Sequence, residues 1–457
     1  MNAFRIVVII SLLVFSSSFS AQAKETSSPE DKPSALSQIS IVRHTLKNGL
    51  RLVLIPDETV PTVGIVVYYD VGSRNEEKGR TGFAHLFEHM MFQGSANVGK
   101  GEHIQWVEHR GGKMNGTTNS DRTNYFETLP SNELAFGLWL EADRMRSLAI
   151  TKENFENQRQ TVMEERRQSV DNQPYGPSML RINELAYGEY FPYAHSTIGD
   201  MTDLQKAPLS AVQDFFNTYY APNNAVLAIS GKFEPKEAIA LADKYFGSIP
   251  SRSTKAFSNP PPPKQDQPRH ETIYDANAEL AAFHIAYHIP PSQQKDHYAL
   301  DLLAMVLGDG ASSRMYQELV KKQELLQEIS ISTDKRRGPD LFSAWGIVQT
   351  GKKAEDARKV IYQTIDKIAK TGISARELEK VKNRIRANFV FALQSNLSRA
   401  MRFGRYEMYY GDANGLKKEL DRYLEVSLDD IKQVAGKYFS ENNRTVLDVL
   451  PKGKGAN

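Results

Sequence analysis

The sequence from Gly82 to Gly94 reads GFAHLFEHMMFQG, and its spacing of apolar and polar residues predicts one short helix. Glycine and other small residues lie on both sides of this segment, which favours a short element with defined ends. Residues four apart in a helix lie on the same face, so His85 and His89 can reach one metal ion. Glu88 lies on that side as well, close enough to hold a water at the metal. The segment therefore predicts a zinc-binding helix.

The His-x-x-Glu-His order is the inverted form of a common zinc-protease motif. Isolated histidine pairs also occur on helices that bind no metal, so the motif needs support from a third ligand. Thr151 begins a long helical pattern whose middle contains Glu164 and Glu165. Either carboxylate would complete a site of two histidines and one glutamate, which is a set that catalytic zinc uses.

These segments resemble the pitrilysin (M16) family of zinc metallopeptidases, which includes insulysin and mitochondrial processing peptidase. In that family the third ligand is a glutamate about 76 residues after the second histidine. Glu165 lies 76 residues after His89, whereas Glu164 is one residue too early. The resemblance therefore implies one zinc ion per chain, held by His85, His89 and Glu165. It also implies that Glu88 is the general base of a peptidase.

Composition limits the chemistry that the chain can use. The 457 residues include no cysteine, so disulfides are excluded and zinc must be held by nitrogen and oxygen. A hydrophobic content of 40% and a charged content of 25% predict a soluble protein of two or more domains. The net charge of +2 gives no indication of a nucleic-acid partner.

The N-terminal segment is typical of an export signal. Arg5 precedes an apolar run over residues 6–15, and Ala21-Gln22-Ala23 follows as a cleavage site of small residues. We predict a signal peptide over residues 1–23 and a mobile leader over 24–38. An uncleaved membrane anchor is the alternative, but the apolar run is shorter than the ~20 residues that a span needs. The predicted location is therefore the bacterial periplasm, without a stable membrane span.

Two segments of the folded part carry local signals. Asn48-Gly49 stands between two strand-like runs and predicts a hairpin. Ser131 is predicted to cap a helix over residues 131–147.

A glycine-rich segment over residues 111–128 resembles the edge strand and return strand of the family. The resemblance implies that an extended peptide substrate pairs with this edge, because an edge strand offers free backbone N–H and C=O groups. An ordinary glycine-rich hairpin is the alternative. The residues implied in substrate binding are Asn115, Gly116, Thr117 and Thr118.

The order of predicted elements repeats after a proline-rich break. We predict a zinc-bearing α+β domain over residues 39–250, a linker over 251–270 and a second α+β domain over 271–457. The fold class is α+β, with two tandem homologous halves. Each half has a mixed, largely antiparallel sheet packed by helices. The resemblance implies that the pair forms half of a clam-shell chamber.

The repeat is visible in single residues. The segment Tyr219–Asn224 matches Tyr438–Asn443, each closing a helix before the last strand of its half. The same offset places Ala304 and Gly308 opposite the two histidines of the metal helix. The second half is therefore predicted to be a structural twin without metal ligands.

Some polar residues receive no assigned role. His284 and His288 are four apart, but their segment alternates as a strand does, which separates them by roughly 13 Å. They are therefore not expected to share a metal. His195 lies in a loop that resembles a family loop, and Gln158 stands where the family often has a further glutamate.

The second half departs from the family at two positions. Members that work unaided usually carry an arginine and a tyrosine after a glycine-rich turn, and these positions hold Val320 and Gln327 here. The resemblance therefore implies a dimer in which a homologous chain supplies the missing pair. The predicted function is a zinc-dependent endopeptidase that cleaves unfolded peptides in extended conformation. The alternative is a noncatalytic subunit of a related hetero-oligomer, but such subunits usually lose the metal ligands.

Overall fold

The computed structural model describes residues 39–255, 257 and 260–453. The predicted signal peptide (1–23) and leader (24–38) lie outside these residues. Among the described helices, none combines the length and the apolar character that crossing a membrane requires.

The first half contains one mixed sheet of six strands. The strands are β1 (Val42–Thr45), β2 (Arg51–Pro56), β3 (Thr62–Tyr69), β4 (Lys113–Thr118), β5 (Thr123–Pro130) and β6 (Ala225–Gly231). Their order in the sheet is β1-β2-β6-β3-β5-β4, so β4 lies at an edge. Strands β2 and β6 are parallel, and the other neighbours are antiparallel. The hairpin predicted at Asn48-Gly49 is confirmed between β1 and β2.

The described residues of the first half also include nine α-helices. They are α1 (Phe83–Met90), α2 (Glu102–His109), α3 (Leu134–Ser147), α4 (Lys152–Arg166), α5 (Gly176–Tyr187), α6 (Phe191–Ala194), α7 (Met201–Lys206), α8 (Leu209–Tyr219) and α9 (Pro235–Phe246). Thr151 caps α4 by accepting a hydrogen bond from the Asn154 N–H. The prediction that Ser131 caps a helix is wrong. A 3-10 turn at Ser131–Glu133 precedes α3, and no side-chain cap forms there.

The second half repeats the architecture of the first. Its strands are β7 (Arg269–Asp275), β8 (Ala282–Ile289), β9 (Leu326–Thr333), β10 (Asp340–Val348) and β11 (Arg444–Pro451). Their order, β7-β11-β8-β10-β9, reproduces the order β2-β6-β3-β5-β4 of the first sheet. The helices are α10 (Lys295–Gly308), α11 (Ala354–Thr371), α12 (Ala375–Ala392), α13 (Asn396–Tyr410), α14 (Glu419–Glu425) and α15 (Leu428–Tyr438). The described part of the chain contains two π-helical turns, at Arg167–Asp171 and Tyr316–Lys322.

The internal repeat extends to equivalent hydrogen bonds. The Asn224 amide donates to the carbonyl of Tyr219 at 2.9 Å, at the end of α8. The Asn443 amide donates to the carbonyl of Tyr438 at 2.7 Å, at the end of α15. Each asparagine thus fixes the turn between a helix and the last strand of its half. That strand is β6 in the first half and β11 in the second. The predicted twin architecture is therefore confirmed.

Each sheet is covered on one face by a helix from the other half. Helix α13 packs across β3 and β6, while α5 packs across β8 and β11. Gly64 in β3 is needed for this approach, because a Cβ there would lie 2.6 Å from the Leu397 backbone. Tyr68 donates a hydrogen bond to the carbonyl of Met401 at 2.8 Å. The described residues from 40 to 453 form one compact unit, and the domain boundaries drawn from the sequence stay a prediction.

Candidate metal centre

Helix α1 presents its polar residues along one side. Its apolar side chains are buried in the core of the first half, which holds the helix firmly against the sheet. Gly82 precedes the helix with a φ of +88°, a conformation that L side chains rarely adopt. His85, Glu88 and His89 are only partly buried and lie on the opposite side of the helix.

Three of the predicted side chains come together at this surface. The Nε2 atom of His85 lies 3.8 Å from Oε2 of Glu165, and Nε2 of His89 lies 3.4 Å from the same oxygen. Ligand atoms around a tetrahedral zinc ion, at roughly 2.0–2.2 Å from it, stand about 3.4 Å apart. All three donor atoms lie within 4.8 Å of one another, so small side-chain adjustments would bring them to the spacing that zinc requires.

The chemistry of the donors also fits zinc. Burial, reinforced by the neighbouring His89, lowers the pKa of His85 to about 4, so its imidazole is neutral at physiological pH. Neutral imidazole and ionised carboxylate are the forms that bind metal. The Nδ1 atom of His85 is buried and has no hydrogen-bond partner. The Glu165 side chain is 42% exposed, so the group is open to solvent on that side.

Glu164 is directed away from the two histidines. Its carboxylate accepts hydrogen bonds from Arg167 at 3.0 Å and from Gln168 at 2.9 Å on the outer surface of α4. Adjacent residues of a helix point about 100° apart, so only one of two neighbouring glutamates can face α1. The structure brings Glu165 to the histidines.

Glu88 lies between the metal-binding group and the edge strand. A Cβ at Gly116 would be 3.2 Å from Cγ of Glu88, so the absence of a side chain there lets the two elements approach. Burial raises the pKa of Glu88, and a hydrogen bond from Thr118 opposes that effect. Glu88 therefore packs against the strand and is adjacent in sequence to His89, a candidate metal ligand.

The candidate substrate residues all lie on β4. Among the described strands, β4 pairs only with β5, so its other edge carries backbone groups that no described strand pairs with. Asn115 is exposed, whereas Gly116 is buried under α1. The Thr117 carbonyl accepts a hydrogen bond from Arg122 at 2.6 Å, which fixes the end of the strand nearest Thr118. The four residues thus share one edge strand, and Gly116 of that strand packs against Glu88.

Two residues near the site, Glu76 and Arg122, were not identified as functional from the sequence. The buried Glu76 carboxylate accepts backbone hydrogen bonds from Gly82 at 2.9 Å and from Ala84 at 2.7 Å. It therefore caps the start of α1, where a negative charge is favoured. The signal available was an acidic residue shortly before a helix. Arg122 carries a positive charge that favours the ionised form of Glu88. The sequence did not reveal this role, because the position of Arg122 depends on the turn between β4 and β5.

A second group of metal-binding residue types lies in the core. His103, Glu127 and Glu141 are buried, and one donor atom of each lies within 4.8 Å of the others. Arg144 donates to Glu141 through Nε at 3.0 Å and lies over the Tyr125 ring. A divalent ion would add charge next to this buried guanidinium, so we assign no metal here. Burial, reinforced by Glu141, raises the pKa of Glu127 well above its ordinary value, which favours a neutral carboxylic acid.

The second half has no equivalent of the metal-binding group among its described residues. Ala304 and Gly308 lie on α10, and Gly308 packs its backbone against Ile331 of β9. His284 and His288 lie on β8 and have separate partners. His284 contacts the Ser178 hydroxyl at 2.8 Å, and His288 contacts the carbonyl of residue 186 at 2.9 Å.

The two positions that lack the family arginine and tyrosine lie close together in the chain. Val320 is partly buried in the π-helical turn Tyr316–Lys322, packed against the core of the second half. Gln327 is exposed on β9, which is the edge strand of the second sheet. Strand β9 occupies the position in its sheet that β4 occupies in the first.

Family models match both halves of the chain. Residues 51–188 match "Insulinase (Peptidase family M16)", and this range contains the histidines, Glu88 and Glu165. Residues 206–385 match "Peptidase M16 inactive domain".

Individual relatives share the whole folded length. "Zinc protease PqqE" of Helicobacter pylori is 33% identical over 410 residues, covering 89% of this chain and 92% of that protein. The crystal structure of a protease from Helicobacter pylori aligns with a TM-score of 0.85 at 32% identity, over 90% of this chain and 100% of that one. The periplasmic protease PqqL from Escherichia coli aligns with a TM-score of 0.72 at 18% identity, over 90% of this chain but 47% of PqqL.

Proposed function

The chain belongs to the M16 (insulinase) family of peptidases, and from that membership we propose that it is a zinc-dependent endopeptidase acting on unfolded peptides. The observation that carries the proposal is the convergence of His85, His89 and Glu165 beside Glu88 and an open strand edge. A glutamate next to a two-histidine, one-glutamate group is the arrangement of a metal-assisted peptide hydrolase.

Each residue has a separate task in this mechanism. His85, His89 and Glu165 hold the zinc, one ion per chain. Zinc, when bound, supplies Lewis-acid polarisation of the scissile carbonyl and lowers the pKa of water toward ~7. Glu88 accepts a proton from the attacking water and delivers it to the leaving amine. Thr118 of the edge strand favours the ionised form of this carboxylate, which is the form that accepts the proton.

The match of residues 206–385 to an inactive domain does not argue against catalysis. Most of that range lies in the second half, which has Ala304 and Gly308 in place of the two histidines. The metal-binding group lies outside it, in the range that matches the peptidase model. A noncatalytic subunit, the alternative considered from the sequence, would have no need for this complete set of side chains.

The metal assignment predicts different effects for two adjacent glutamates. Glu165→Ala should bind less than about a tenth of the zinc of the unmodified chain, because it removes one of three ligands. Glu164→Ala is the matched control and should retain full occupancy, because its carboxylate bonds to Arg167 and Gln168 instead. Elemental analysis of both purified variants tests this. Full zinc in Glu165→Ala together with loss in Glu164→Ala would reverse the assignment.

We assign peptide binding to β4 through its residues Asn115, Gly116, Thr117 and Thr118. A substrate adds to this edge as an extra strand, which requires an extended backbone with free N–H and C=O groups. Folded proteins have these groups paired within their own structure. The substrate class is therefore unfolded peptides and unfolded chains.

Cleavage should depend on the folding state of the substrate. A globular protein unfolded by reduction and alkylation of its disulfides should be cut at least about tenfold faster than its native form, whose loops and termini alone are accessible. Rates are measured by mass spectrometry of the fragments at equal substrate concentration. A short peptide without structure serves as the control for enzyme activity. Equal rates for native and unfolded substrate would refute strand addition as the binding mode.

Export and assembly complete the proposal. We assign the protein to the periplasm, on the basis of the signal-like segment 1–23 and the periplasmic location of the related PqqL. The chain spans about half of PqqL, and its second half lacks the family arginine and tyrosine at Val320 and Gln327. It therefore acts as a dimer, with a homologous chain facing the zinc-bearing half.

A further inference from the structure

His195 has hydrogen-bond acceptors at both ring nitrogens. Its Nδ1 atom lies 2.7 Å from the carbonyl oxygen of Phe191. Its Nε2 atom lies 2.9 Å from the carbonyl oxygen of Ser73 and 3.0 Å from Oε2 of Glu76. A carbonyl oxygen can only accept, so each nitrogen must carry a hydrogen. The contacts therefore identify His195 as an imidazolium ion.

The carboxylate that His195 contacts is the one that caps the metal helix. The Glu76 side chain has no exposure to solvent, and its two oxygens accept from the N–H groups of Gly82 and Ala84. A buried carboxylate without a cation is strongly destabilising, because its charge has lost its water. The imidazolium of His195 supplies that cation and leaves the carboxylate free to hold the helix.

The loop that carries His195 also reaches the second ligand-bearing helix. Gly199 packs directly on Gly82, since a Cβ at Gly199 would lie 2.3 Å from Cα of Gly82. The carbonyl of Gly199 accepts a hydrogen bond from Arg166, the residue next to Glu165. The same loop therefore touches the start of α1 and the end of α4.

We propose that His195 is a positioning residue, an imidazolium that fixes Glu76 on the start of α1 and so sets His85 and His89 against Glu165. This inference rests on the proposed zinc peptidase function, because it concerns the geometry of that site. His195 touches neither the metal ligands nor the edge strand. Its removal should therefore weaken zinc binding and lower kcat, while leaving KM for the peptide nearly unchanged.

The charges around His195 determine how its contact with Glu76 depends on pH. Glu76 faces the imidazole directly, and Phe191 stacks on it with Lys78 over the outer ring face. Asp203 of α7 bonds to Thr81 instead, and Arg166 of α4 bonds to the loop backbone. Burial by itself lowers the pKa of His195, but the bonds to Glu76 and the two carbonyls outweigh it and the pKa is raised.

The contact requires a protonated His195 and an ionised Glu76. Burial raises the pKa of Glu76, so the contact is lost on the acidic side as Glu76 takes up a proton. The contribution of His195 is present at the ordinary histidine pKa of about 6.5 and is lost as the pH rises through its raised pKa. Zinc affinity should therefore decline on the alkaline side in the unmodified chain. His195→Arg, which keeps a positive charge at all these pH values, should extend full affinity to higher pH.

The test compares two variants of His195 with a matched control. His195→Gln should weaken zinc binding about tenfold or more and lower kcat to a similar extent, as removal of groups that orient metal ligands does. His195→Arg should restore both. His270→Gln, which removes a mostly exposed histidine from β7, should match the unmodified chain. Zinc affinity is measured by competition with a chelating dye, and kcat and KM with a quenched peptide.

The protonation state provides an independent readout. Nitrogen NMR shifts of histidine-labelled protein, assigned through His195→Gln, should show His195 mostly protonated on both nitrogens at about pH 6.5, the ordinary histidine pKa. A neutral His195 in that spectrum, or unchanged zinc affinity in His195→Gln, would overturn the inference. Zinc binding without peptide hydrolysis in every sample would instead overturn the proposed function, since the NMR and affinity results do not depend on turnover.

Discussion

Replacing Glu88 with glutamine should leave zinc binding intact and reduce peptide hydrolysis by about 10²–10⁴-fold. The amide has nearly the same shape as the carboxylate, and Glu88 is not among the three residues that converge as ligands. Glutamine cannot accept a proton from the attacking water, so the chemical step is lost while the site remains. Zinc content and turnover of a quenched peptide, measured on the same preparation, test this expectation.

The control for this variant is Glu108→Gln. Glu108 is an exposed glutamate on α2, away from the metal-binding group, and its replacement should change neither zinc content nor turnover. A Glu88→Gln protein that hydrolyses the peptide at the unmodified rate would show that another group accepts the proton. Loss of zinc from Glu88→Gln would show that Glu88 itself is a ligand.

Mixing this chain with a homologous partner that carries the family arginine and tyrosine should raise turnover by about a hundredfold. Two or three hydrogen bonds directed at the substrate backbone or the developing oxyanion contribute on the order of 3 kcal/mol. Val320 and the exposed Gln327 cannot reproduce a guanidinium fork and a phenol hydroxyl. The measurement is hydrolysis of a quenched peptide by the purified chain, alone and with candidate partners.

The control for the partner experiment is a partner variant that lacks the arginine and the tyrosine. A partner whose own arginine and tyrosine have been replaced should bind this chain and give little stimulation. Turnover by the lone chain that equals turnover by every mixture would contradict the need for a heterologous partner. In that case Val320 and Gln327 would be sufficient, and the active form would be a homodimer.

Local signals in the sequence predicted much of the fold. The Asn48-Gly49 turn, helix α1 and the paired asparagines of the repeat depend on residues close together in the chain. The cap assigned to Ser131 failed because the chain forms a 3-10 turn before α3, a choice set by how the helix meets the sheet. The exchange of α5 and α13 between the two sheets depends on packing between halves.

The site was predictable where a motif spans one turn of helix. His85, Glu88 and His89 satisfy that condition, and the resemblance identified Glu165 through its distance along the chain. Nothing local distinguishes Glu165 from its neighbour, because the choice depends on the rotation of α4 against α1. The only local signal for the capping role of Glu76 was an acidic residue shortly before the helix, and its contact with His195, 119 residues away in sequence, could not be predicted.

A zinc titration of metal-free protein tests most directly whether the metal held by His85, His89 and Glu165 drives peptide hydrolysis. Bound zinc and peptide turnover are followed in the same samples, in the presence of the partner that gives the highest rate. We expect both to rise together and to reach their maximum at about one zinc ion per chain, with Glu88→Gln binding zinc equally and remaining inactive. Hydrolysis that proceeds before zinc is added, or that fails to follow bound zinc, would contradict this function.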